Sequence, residues 1–127
     1  MKALVIDDSR TMRRIVAGIL RPLGFEIVEA ADGREALDVL ESGTDVELAC
    51  VDWNMPVMDG LSFISAVRRD GRWRDVTLVM VTTESEHSQI VRALAAGAHE
   101  YVIKPFTPDA IREKLQLLGL VGLEETA

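Results

Sequence analysis

Five short apolar runs limit what this chain can fold into. They occupy residues 3–6, 27–28, 48–51, 77–81 and 101–103, and each stops abruptly at polar or turn-forming residues. A strand with one wet face alternates apolar and polar residues. Nearly unbroken runs of this length read instead as strands covered on both faces. The segments between them keep helical spacing. Ser9 can cap a helix whose apolar positions are Met12, Ile15, Val16, Ile19 and Leu20, ended by Pro22 and Gly24. Ala36, Leu37 and Leu40 follow Asp32-Gly33, and Ser42-Gly43 stops that helix. After Gly60, Phe63, Ile64 and Val67 face inward and Arg68-Arg69-Asp70 outward. Ile90, Val91 and Leu94 share one side of a fourth helix, which Gly97 ends. Thr107 and Pro108 open a fifth, with Ile111, Leu115 and Leu118 inward and Gly119 as its stop.

Strand and helix thus alternate five times. Strand-helix-strand crossovers are right-handed, so the sheet is parallel and the carboxyl ends of all strands share one edge. The expected fold is a single α/β domain, a doubly wound five-stranded parallel sheet flanked by five helices. It spans residues 1–120, with 121–127 as a frayed tail. At 127 residues there is room for one core and not for two. A net charge of −7 argues against nucleic acid as a partner, because phosphate binding needs clustered Lys and Arg. The single cysteine, Cys50, excludes an internal disulfide and a cysteine-based zinc site, and inside a strand it reads as a buried thiol. No apolar run is long enough to span a membrane, and no charged-then-apolar secretion signal opens the chain. A cytoplasmic protein without membrane partners is expected.

The residues that follow each strand carry the chemistry. Strand one gives Asp7 and Asp8, strand three Asp52, strand four Thr82 and strand five Lys104. If strands one and three are neighbours, three carboxylates, a hydroxyl and an ammonium converge at the place where open α/β sheets hold their ligands. Carboxylates held together repel one another, so a cation must offset them. Oxygen-only donors point to a hard cation, and Mg²⁺ accepts few protein ligands. Asp52 is then a nucleophile toward a phosphoryl group, with Thr82 donating a hydrogen bond and Lys104 pairing with its charge.

These residues resemble a known family. Asp7-Asp8, Asp52 within Val-Asp-Trp-Asn-Met-Pro-Val-Met-Asp-Gly, Val81-Thr82 and Lys104-Pro105-Phe106 are similar to the receiver domains of two-component response regulators, from Met1 to about Gly119. The resemblance implies a flavodoxin-like sheet of order 2-1-3-4-5 and a 4-aspartylphosphate at Asp52. It implies Mg²⁺ bound by the carboxylates of Asp8 and Asp52 and the backbone carbonyl of Asn54, with Asp7 acting mainly through water. Lys104-Pro105 would be a cis peptide. Thr82 would move toward the phosphoryl group and Tyr101 rotate inward behind it, switching the face made by the fourth helix, fifth strand and fifth helix. The donor would be a histidine kinase or a small acyl phosphate.

Within the family, Trp53, Asn54 and Glu84 are most similar to stand-alone chemotaxis regulators, whose output is binding to a flagellar switch protein or another target. Glu86, His87 and Thr83 depart from that pattern, since lysines and a small Ala are common there. A phosphorelay intermediate, a phosphate sink or the receiver of a longer regulator would share the same site. An enzyme with turnover is not expected. Asn54 stands where aspartyl-phosphate hydrolases carry an acid to protonate the leaving group. A flavin-binding module is excluded because Asp7-Asp8 would repel its phosphate. Arg13-Arg14 read as a solvated face or a kinase contact, Trp53 as a partly exposed neighbour of the site, and His87 and His99 as surface residues.

Overall fold

The computed structural model describes residues 1–122. Strands β1 (Lys2–Ile6), β2 (Glu26–Ala30), β3 (Leu48–Val51), β4 (Thr77–Thr82) and β5 (Glu100–Ile103) alternate with helices α1 (Arg10–Leu20), α2 (Gly33–Glu41), α3 (Gly60–Arg69), α4 (His87–Ala96) and α5 (Pro108–Leu117). The strands form one parallel sheet of order β2-β1-β3-β4-β5. The sequence expectation of a doubly wound parallel sheet holds, including its order. Short 3₁₀ turns at Arg21–Leu23 and Gly71–Trp73 were not foreseen, although Pro22 and Gly71 mark both places.

Four of the five helices begin where a side chain serves the first unpaired amides, while α4 begins after Glu86 without such a bond. Ser9 accepts from Met12 N, Asp32 from Glu35 N, Asp59 from Ser62 N and Thr107 from Ala110 N. Two apolar cores result, one on each side of the sheet. α2, α3 and α4 cover one face, with Phe63, Ile64 and Leu78 fully buried. α1 and α5 cover the other, where Leu20, Leu48 and Leu115 are fully buried.

Two helices sit differently from their expected faces. Ile15 is 46% exposed, and α1 buries Val16, Ala17 and Leu20. Val91 and Leu94 lie outside, while Ala93 is fully buried. In both helices an alanine is fully buried. A small side chain there lets the backbone approach closely, which rotates larger neighbours outward. At the carboxyl terminus Val121 packs against the second core, and Gln116 donates to the Gly122 carbonyl at 3.3 Å. The rest of the expected frayed tail, 123–127, lies outside the described residues.

Candidate functional site

Register brings the candidate residues together. Ile6 pairs with Val51, so Asp7 and Asp52 leave adjacent strands at the same level, and Asp52 N donates to Ile6 O at 2.9 Å. Thr82 pairs with Ile103, and Lys104 N donates to Thr82 O at 2.8 Å, which sets the lysine stem beside β4. The Lys104-Pro105 bond is cis. Lys104 Nζ lies 2.9 Å from Asp7 Oδ2 and 3.7 Å from Asp52 Oδ2.

Asp7, Asp8 and Asp52 each offer an oxygen within 4.8 Å of the others. Asp8 is exposed, whereas Asp7 is buried and Asp52 nearly so. Burial raises the Asp52 pKa above the usual carboxylate range and the Asp7 charge raises it further, while Lys104, Thr82 and the Trp53 amide oppose the rise. Three oxygens, one of them open to solvent, with no His or Cys among them, suit a hard divalent cation that keeps water ligands. The donor set therefore fits Mg²⁺.

The acceptor loop is held at several points. Trp53 N donates to Asp52 Oδ1 at 2.8 Å, leaving Oδ2 toward Lys104. Gly60 N donates to Trp53 O at 2.8 Å, and a Cβ on Gly60 would strike the Asp52 backbone oxygen. This explains why Asp59 is followed by glycine: the helix that Asp59 caps starts against the acceptor residue itself. From the other side, Gly33 N reaches Met58 O at 3.0 Å. Between them Val57 sits at φ +68°, an uncommon conformation for a β-branched residue.

Glu84 ties the loops together, a role that spacing did not reveal. Asn54 Nδ2 donates to Glu84 Oε2 at 2.7 Å, and the Tyr101 hydroxyl donates to the Glu84 backbone carbonyl at 2.7 Å. Tyr101 is buried, and burial together with Glu84 and Asp52 raises its pKa. The Thr82 hydroxyl is fully buried and accepts from Glu84 N at 3.3 Å. Trp53 is 7% exposed rather than partly open, with Arg92 of α4 5.7 Å above its ring.

Two arginines differ from expectation, and a histidine that is exposed as expected makes a backbone bond. Arg13 is not a solvated residue, because it bonds Asp7 O and Glu29. Arg68 turns inward from α3 to the carbonyls of Gly97, Arg74 and Val76. His99 is an exposed residue, yet its Nδ1 accepts from Leu78 N at 3.0 Å.

The model of the response regulator receiver domain matches residues 3–116. This chain belongs to the receiver family. The receiver is 44% identical over 119 residues to the chemotaxis protein CheY1 of Helicobacter pylori, covering 93% of this chain and 96% of that one. It is 45% identical over 117 residues to the chemotaxis protein CheY of Pseudomonas aeruginosa, covering 91% and 94%. Its fold matches the solved CheY4 of Vibrio cholerae with a TM-score of 0.83 at 36% identity, over 91% of this chain and 96% of that one. As a receiver it belongs to phosphorelay signalling. Among the described residues no helix is long and apolar enough to cross a membrane.

Proposed function

We propose that this receiver is a phosphorylation switch in which Asp52 is the acceptor. One observation carries the reading: Lys104, 97 residues from Asp7, reaches back to place its ammonium between Asp7 and Asp52. A largely buried lysine between two carboxylates is the counter-charge a phosphoryl group would meet. In the reaction an oxygen of the Asp52 carboxylate attacks phosphorus, the bond from phosphorus to the donor atom breaks, and the donor leaves with that electron pair. Asp52 Oδ2 is the oxygen for this step, because Oδ1 already accepts from Trp53 N. Lys104 would then pair with the new phosphoryl charge, and Thr82 would turn its hydroxyl toward a phosphoryl oxygen.

Asp8 and Asp52 would hold Mg²⁺ through their carboxylates, Asn54 through its backbone carbonyl and Asp7 through water. When bound, the cation neutralises phosphoryl oxygens and orients the group for attack. Asn54 cannot protonate a leaving group, and its amide is engaged by Glu84, which supports a switch over an enzyme with turnover.

The donor on this reading is a histidine kinase, and the output is chemotactic, as the names of the similar proteins suggest. Tyr101 and Glu84 link the acceptor site to the face of α4, β5 and α5, where a flagellar switch protein would bind. The test is the intact mass after incubation with Mg²⁺ and acetyl phosphate. One phosphoryl group on the parent and none on Asp52→Asn is expected; equal labelling of both would remove Asp52 as the acceptor.

A further inference from the structure

The turn from β1 to α1 must hold two adjacent carboxylates in place against their own repulsion. Asp7 is engaged at every polar atom it has. Its N donates to Ala30 O at 3.1 Å, Oδ1 accepts from Ser9 N at 2.9 Å, and Oδ2 accepts from Lys104 at 2.9 Å. Its backbone carbonyl accepts from Arg13 Nη1 at 2.7 Å. That carbonyl ends the strand, and among the described residues no backbone donor serves it.

Arg13 is itself held. Its Nε donates to Glu29 Oε1 at 2.9 Å, and its side chain is 15% exposed, although its neighbours Arg10 and Arg14 are exposed. A guanidinium presents its N–H groups in a fixed planar fork. With Glu29 on β2 fixing one side of the fork, the other side is aimed at Asp7. The side chain thus staples α1 to the end of β1 and to the edge strand at once.

We propose that Arg13 is a positioning residue for the acidic pocket, fixing the turn that carries Asp7 and Asp8 and so setting the affinity for Mg²⁺. The inference rests on the reading of the pocket as a Mg²⁺ site. Partners that orient metal ligands from behind change affinity by about tenfold or more when removed. An arginine near a cation site also acts by charge, and removing it would by itself tighten Mg²⁺ binding. Glu29 neutralises that charge at 2.9 Å, so the positional effect dominates.

The test is calorimetric titration of the full chain with MgCl₂ at constant ionic strength, alongside urea unfolding. Arg13→Ala and Glu29→Ala both remove the tie to β2 and are expected to lose similar stability. The double variant Arg13→Ala/Glu29→Ala frees the Asp7 carbonyl at unchanged net charge and is expected to bind Mg²⁺ on the order of tenfold more weakly than the parent. Arg13→Lys keeps the charge but cannot serve both oxygens, and an intermediate affinity is expected. If the double variant does not fold, Arg13→Lys carries the comparison. Parent-like or tighter affinity in the variant that carries the comparison would overturn the role of Arg13. A parent that binds no Mg²⁺ would overturn the metal reading itself.

Discussion

Val57 stands in the acceptor loop at φ +68° and is 82% exposed. An L-residue in the left-handed region costs roughly 1–2 kcal/mol, and glycine avoids that cost at some expense in chain entropy. Because the side chain packs on little, Val57→Gly is expected to stabilise the protein by about 1 kcal/mol. A higher urea midpoint with unchanged slope would show it. His99 offers a second single-residue test. Its Nδ1 must be unprotonated to accept from Leu78 N, and burial and the nearby Arg68 lower its pKa from 6.5. The folded state therefore disfavours the imidazolium. This contribution is complete above pH 6.5 and is lost as pH falls through the depressed folded value. His99→Asn, whose oxygen can accept the same bond but does not titrate there, is expected to flatten stability against pH in that window. Identical pH profiles would count against the bond.

Arg68 matters at the scale of elements. From the last turn of α3 it donates to Gly97 O at the end of α4 and to Arg74 O and Val76 O ahead of β4. A Cβ on Gly97 would strike the arginine stem, so the glycine and the arginine form one joint. Arg68→Met keeps the stem and removes the donors, and is expected to cost about 2 kcal/mol through the carbonyls left without partners. Urea unfolding measures this, and a neutral result would mean that water serves those carbonyls equally well. This joint shows where sequence reading stops. Strands and caps were legible because apolar runs, Ser9, Thr107 and the terminal glycines act on residues within a few positions. Arg68 meets a carbonyl 29 residues away, and nothing in its own neighbourhood signals that. The same holds for Glu84, two of whose partners come from the loop after β3 and from β5. The acidic and basic site residues were readable because each ends a strand and the fold gathers strand ends. The outward placement of Val91 and Leu94 was not, because it depends on how closely Ala93 lets α4 approach.

At the scale of the molecule, Cys50 provides a probe. It is buried at the centre of the sheet, and burial pushes its thiol pKa up to about 12. Thiolate is the reactive form, so alkylation in native buffer is expected to be negligible and to follow the urea transition. Labelling well below that transition would reveal local opening of β3. The sheet also has an order in time. The residues of the pocket are read out from the amino end, with Asp7, Asp8 and Asp52 made long before Lys104. A nascent chain that has reached only β4 can gather three carboxylates and has no ammonium to set among them. Their repulsion opposes early closure of the edge, and relief comes when β5 docks and Lys104 N meets Thr82 O. The counter-charge of the acidic edge thus comes from the end of β5, which is made after the strands that carry the three carboxylates.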